Sequence, residues 1–146
     1  MSRVFELSLG LCGKSDEDPL FKAFVNELGE TPSLEVRERS CVRIFQKHQL
    51  TIYCRFDNEG NRVVRGALMA FRRRSENPFG IVLSDTRQIV EDKIGFPPFK
   101  RERTNHTSVS GQGTWKDCYR LDTLEFEVHF DLVTSLPGYW VIWSDS

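Results

Sequence analysis

Apolar and polar side chains alternate along residues 50–57, Leu50-Thr51-Ile52-Tyr53-Cys54-Arg55-Phe56-Asp57, and again along 124–131, Leu124-Glu125-Phe126-Glu127-Val128-His129-Phe130-Asp131. A period of two predicts a strand with one face toward a core. Phe5, Leu7 and Leu9 alternate in the same way, as do Phe79, Ile81 and Leu83, so strands are predicted at 4–9 and 79–83. Leu20, Phe21, Phe24, Val25 and Leu28 recur at helical spacing instead. Asp18 as cap, Pro19 at the first position and Gly29 at the end delimit that helix. A second helix is predicted from Ser84 as cap to Ile94, with a stripe of Ile89, Val90 and Ile94. Gly95 and the pair Pro97-Pro98 stop it. Further strands are expected at 41–47, 62–72, 115–121 and 139–143, with polar connections at 30–40 and 101–113.

The two halves match in order. Leu50, Phe56 and Asp57 correspond to Leu124, Phe130 and Asp131, and Leu28-Gly29 with Pro32 corresponds to Ile94-Gly95 with Pro98. Matches in the same order predict an internal repeat. The expected fold class is α+β: two tandem βαβββ-like units, mostly antiparallel, with one helix packed per unit. The units span 1–74 and 75–146 and share one core, because half of a 146-residue chain buries little by itself. Phe24, Leu28, Ile52, Phe56, Phe126, Val128 and Phe130 are the predicted core.

Charge then narrows the function. The net charge is −1 and the pI about 6.3, which speaks against a nonspecific nucleic-acid binder. No apolar run reaches the length of a membrane span, and the start, Met1-Ser2-Arg3-Val4-Phe5, predicts no secretory leader. Cys12, Cys41, Cys54 and Cys118 form no CxxC pair and read as small buried hydrophobes in a reducing, cytoplasmic compartment.

Catalytic and metal constellations are not expected. His48, His106 and His129 fall in a turn, a loop and an outward strand position, without ligand spacing. Asp57 and Asp131 read as turn-forming residues that bond their own backbone. Ser110-Gly111-Gln112-Gly113-Thr114 lacks the lysine and the following helix of a phosphate cradle. The expectation is therefore a non-enzyme with no metal and no cofactor.

Aromatics crowd the last third: Trp115, Tyr119, Tyr139, Trp140 and Trp143. Alternation sends Tyr139, Val141 and Trp143 to one side of their strand and Trp140 and Ile142 to the other. Glu125, Glu127 and His129 share the polar side of the neighbouring strand. Aromatic and acidic groups together suit a protein interface. The expected partner-binding residues are Trp115, Glu125, Glu127 and His129, with a basic contact from Arg72 and Arg73.

The pattern of Leu28-Gly29, Pro32, Phe56-Asp57 and Gly60 resembles small tandem α+β proteins of bacterial toxin–immunity systems. Gly95, Pro98, Phe130 and Asp131 repeat it, with a departure at the turn, where Gly138 comes later. The resemblance implies a cytoplasmic protein, monomer or homodimer, that binds and neutralises a cognate toxin. The alternative is a small enzyme or ligand-binding protein with a pocket between sheet and helix.

Overall fold

The computed structural model describes residues 3–70, 79–105 and 113–144. It is an α+β fold built on one eight-stranded, wholly antiparallel sheet. Among the described residues three helices, α1 (Arg3–Leu11), α2 (Pro19–Leu28) and α3 (Arg87–Ile94), accompany strands β1 (Ser33–Val36), β2 (Ser40–Phe45), β3 (Leu50–Phe56), β4 (Arg62–Ala70), β5 (Lys100–Thr104), β6 (Thr114–Leu121), β7 (Leu124–Asp131) and β8 (Pro137–Ser144). The order across the sheet is β1-β2-β3-β4-β8-β7-β6-β5. Each half is thus a four-stranded meander preceded by a helix. The two meanders join along β4 and β8, and β1 and β5 form the outer edges.

The helix signals in the sequence act as read for α2. Asp18 accepts a bond from the Leu20 N–H, Pro19 opens the helix, and Gly29 closes it at φ 65°. Both α2 and α3 lie on one face of the sheet. Phe24 meets Phe45 edge-on at 5.6 Å, and Arg87 reaches across to Asp117. Phe24, Ile52, Phe126, Val128 and Phe130 are buried in a single core with Phe45, Leu50, Trp140 and Ile142. Leu28 and Phe56 are only half-buried, because each ends its element at the rim of that core.

Several expectations are corrected. Residues 4–9 are helix α1, not a strand. Ser8 and Leu11 are buried at a spacing of three, with Leu7 packed beside them, so a helical face was hidden under a short alternation. Residues 79–83 form no strand: Gly80 turns the chain at φ 69°, and Ile81 drops into the core. Helix α3 begins later than predicted, capped by Thr86 rather than Ser84. Asp85 instead holds the preceding turn, accepting from the Val82 N–H and from Lys93. Two strands arise in the stretches read as connections. β1 is exposed along its whole length, and β5 is the charged Lys-Arg-Glu-Arg-Thr. β1 alternates only over Ser33-Leu34-Glu35-Val36, too short a run to stand out from the polar stretch around it, and β5 holds no apolar residue. The first half also holds two helices, so the βαβββ unit with one helix is not the observed element order.

Asp57 and Asp131 close their turns as expected. Asp57 Oδ1 accepts from the Glu59 and Asn61 N–H groups at 2.9 and 2.8 Å, and Asp131 Oδ2 from those of Val133 and Thr134 at 3.0 and 2.9 Å. These bonds, led by that from Asn61, hold the Asp57 carboxyl below its ordinary pKa.

Candidate functional site on the helix-free sheet face

Alternation sends the other half of the side chains to the face opposite the helices, which no described helix covers. From β7 these are Glu125, Glu127 and His129, and from β8 Tyr139, Val141 and Trp143. Antiparallel pairing sets Glu125 against Trp143, Glu127 against Val141 and His129 against Tyr139. On the other side of β7, Lys116 pairs with His129 and Cys118 with Glu127. Across the seam, Leu68 faces Val141 and Gly66 faces Trp143, and Gly66 in turn faces Tyr53.

Gly66 shapes this surface. A Cβ there would collide with the Ile142 carbonyl oxygen and stand 2.6 Å from Trp143 Cε3, so only glycine lets the indole lie across β4. The indole then rests against Tyr53, ring centroids 5.2 Å apart. Beside this pair is a cavity of about 480 Å³ lined by Tyr53, Leu68, Asn105, Lys116, Glu127, Tyr139, Val141 and Trp143. That volume is in the range of ligand-holding clefts, roughly 300–1,000 Å³.

A polar chain runs from the sheet edge into the floor of the cavity. Lys100 Nζ lies 2.6 Å from Glu102, whose other oxygen is 3.1 Å from Lys116 Nζ. Lys116 Nζ is 4.0 Å from Glu127, and Glu127 Oε1 is 3.1 Å from His129 Nε2. His129 Nδ1 meets Thr114 Oγ1 at 3.1 Å, and its ring stacks on Tyr139 at 4.2 Å. His129 is fully buried, and each of its ring nitrogens meets a protein partner.

Electrostatics fix the protonation of most of these groups. Burial by itself would lower the Lys116 pKa, but the Glu127 charge and the Glu102 contact outweigh it, and the pKa is raised. Burial pushes Tyr139 up to about 12. Burial, reinforced by Glu127 and Glu125, pushes the Cys118 thiol up to about 12. At neutral pH the lysine is charged and the phenol and thiol keep their protons. Such groups bind and orient; neither the phenol nor the thiol is poised as a base or nucleophile.

Among the described residues, Cys118, Glu125 and Glu127 bring one potential metal-ligand atom each within 4.8 Å of one another. They could hold a cation only if the thiol gave up its proton and the Glu127 carboxylate turned from Lys116. Sequence spacing did not show this group, because Cys118 joins it through strand register.

The sequence-predicted residues separate. Glu125, Glu127 and His129 do lie together on this face. Trp115 does not join them: it opposes Phe130 in register and therefore points to the helix side. There the Arg87 guanidinium sits 5.7 Å above its ring. Adjacency in the chain suggested the grouping, and the pleat of β6 separates Trp115 from the acidic residues. Arg72 and Arg73 lie outside the described residues. The cavity also lies away from the helices, not between sheet and helix. Tyr53, Leu68 and Lys116 were missed: Tyr53 and Lys116 stand at the polar phase of legible strands, whereas Leu68 lies in the apolar run of β4, and pairing across the sheet brings the three together. Asn105 carried no signal.

No family model and no curated protein matches the sequence. Solved structures do share the fold. An extracellular protein containing an SCP domain from Bacillus anthracis superposes with a TM-score of 0.59 at 12% identity, over 94% of this chain and 45% of that one. A cysteine-rich secretory protein from Staphylococcus aureus gives 0.58 at 8% identity, over 93% and 45%. The chain therefore spans less than half the length of either, and at such identities the likeness shows the fold alone. A DUF4309 family protein from Bacillus subtilis has a TM-score of 0.49 at 9% identity.

Proposed function

We propose that this chain is a non-catalytic binding protein that holds a protein partner on the helix-free face of its sheet. The observation that carries the reading is the half-buried Tyr53–Trp143 pair over Gly66, extended by Leu68, Tyr139 and Val141 and bordered by Lys100, Glu102, Lys116 and Glu125. An aromatic centre inside a charged rim is the composition of an interface hot spot. Photo-cross-linking tests it. A photoreactive residue in place of Tyr53 should trap a discrete partner in the source cell, and Trp143→Ala should abolish the adduct. The same probe at Trp115, on the other face, should trap nothing. Equal adducts from both positions would overturn the placement.

The resemblance to immunity proteins gives this binding a purpose, neutralisation of a toxin. The trapped partner, produced alone, should then arrest growth of a test cell, and co-production of this chain should restore it. A harmless partner removes the toxin reading and leaves the interface standing. The cytoplasmic placement belongs to the same proposal. The two similar structures are described as an extracellular and a secretory protein, so fractionation of the source cell is its direct test.

The proposal includes tandem origin. We read α2 with β1–β4 and α3 with β5–β8 as two copies of one helix-plus-meander unit. Identical strand order in each half supports this, and superposing the two meanders tests it.

A further inference from the structure

Cys41 and Cys54 are direct register partners on β2 and β3. Opposed residues of an antiparallel pair have Cα atoms roughly 4.5–5.5 Å apart, within the roughly 4.4–6.8 Å that a disulfide spans. Both side chains point to the helix face, and both are sealed from solvent, at 0% and 1% exposure. Cys12 and Cys118 have other surroundings: Cys12, in the turn just past α1, donates to the Ser8 carbonyl of that helix, and Cys118 lies on the opposite face beside Glu127.

We propose that Cys41 and Cys54 are a cross-strand disulfide site, left as two thiols in a reducing cytoplasm and closed, where the chain folds in an oxidising thiol pool, by exchange with a low-molecular-weight disulfide while the β2–β3 hairpin folds. In the first step one cysteine loses its proton and its sulfur attacks the small disulfide. That S–S bond breaks, a mixed disulfide forms, and one small thiolate leaves and takes up the proton. In the second step the other cysteine loses its proton and attacks the mixed disulfide at the protein sulfur. The Sγ–Sγ bond forms and the second small thiol departs protonated. Two protein thiols are oxidised and one small disulfide is reduced to two thiols.

The timing follows from the fold. In the finished protein burial, together with the neighbouring Cys41, pushes the Cys54 thiol up to about 12, so attack by the folded state is slow. The hairpin is local, however, with only residues 46–49 between its strands. Such hairpins close in microseconds, before distant helices need pack on them. The register then brings the two sulfurs together while both remain open to solvent.

The test is oxidative refolding. The full chain is unfolded in denaturant with reductant, then refolded in a mixture of oxidised and reduced glutathione. Free thiols are alkylated under acid quench and the digest is read by mass spectrometry. Two of the four thiols should remain, at Cys12 and Cys118, with one linked peptide joining Cys41 to Cys54 and a mass lower by about 2 Da, two hydrogens. The bridged protein should melt several degrees above the reduced one and lose the gain on reduction. Four free thiols, or a bridge through Cys12 or Cys118, would overturn the proposal. A bridged form melting below the reduced chain would overturn the claim that the register fits. The variant carrying Cys12→Ala and Cys118→Ala repeats the test with only the proposed pair present. Failure of that variant to bridge under the same conditions counts against the site, because the wild-type digest controls for folding.

Discussion

The third strands of the two meanders, β3 and β7, can be compared position by position. Toward the helices they agree in kind: Leu50 with Leu124, Ile52 with Phe126, Cys54 with Val128, Phe56 with Phe130. Toward the open face they share nothing: Thr51 stands against Glu125, Tyr53 against Glu127, Arg55 against His129. Packing constrains the first set, since any polar side chain there would lose water without a partner. The second set is free of that demand and has taken aromatic character in one half and ionic character in the other. The cavity lies where the two characters meet.

The halves also solve one electrostatic problem in opposite ways. Each places a buried aspartate among arginines. In the first, Asp16 comes from the turn before α2 and accepts from Arg43 at 2.7 Å, with Arg62 at 3.3 Å, both supplied by the sheet. In the second, Asp117 comes from the sheet and accepts from Arg87 of α3 at 2.7 Å, with Arg101 at 3.4 Å. The acid and the base have exchanged sides, yet helix and sheet are tied in both.

The largest test of the comparison is on the helix side. Phe130→Ala should cost about 3–5 kcal/mol, because a fully buried ring leaves a cavity. Phe56→Ala, at the half-buried equivalent, should cost well under half of that. Equal losses in urea unfolding would show that the two strands sit alike and that the burial difference is unimportant.

Next come the ion pairs. Arg87→Leu leaves the fully buried Asp117 carboxylate with only the exposed Arg101, and should cost about 3 kcal/mol. Asp117→Asn should cost less, because Arg87 is partly exposed and can turn to water. A double-mutant cycle separates the pair from its parts. If Asp117→Asn proves the costlier change, the arginine is the stranded partner and the argument is reversed.

Smaller effects belong to the open face. Thr51→Glu, which gives β3 the residue of β7, should change stability by no more than about 0.5 kcal/mol. Tyr139→Phe should show its pH-dependent effect only at high pH. The folded phenol titrates at about 12, the unfolded one near 10. Protonated burial therefore contributes fully below about pH 10, and that contribution is lost as pH rises toward about 12. The variant should lose stability less steeply across that window. An unchanged slope would assign the alkaline loss to other groups, among them Cys54, Cys118 and Tyr119.

What the sequence determined by itself is local. Strands with one apolar face, the caps of α2, the turn aspartates and the polar phase holding Glu125, Glu127 and His129 follow from periods and short-range hydrogen bonds between near neighbours in the chain. The antiparallel α+β class follows from those. Three things came only from tertiary structure. The edge strands β1 and β5 exist because β2 and β6 offer unpaired backbone groups, a demand that leaves only Leu34 and Val36 as apolar trace in Ser33–Val36 and none in Lys100–Thr104. Residues 4–9 became helix because a short alternation fits either element until packing chooses. The cavity depended on register: a shift of one residue moves a side chain to the other face. Register put Trp115 behind the sheet and assembled Tyr53, Lys116 and Trp143, far apart in sequence, in front of it.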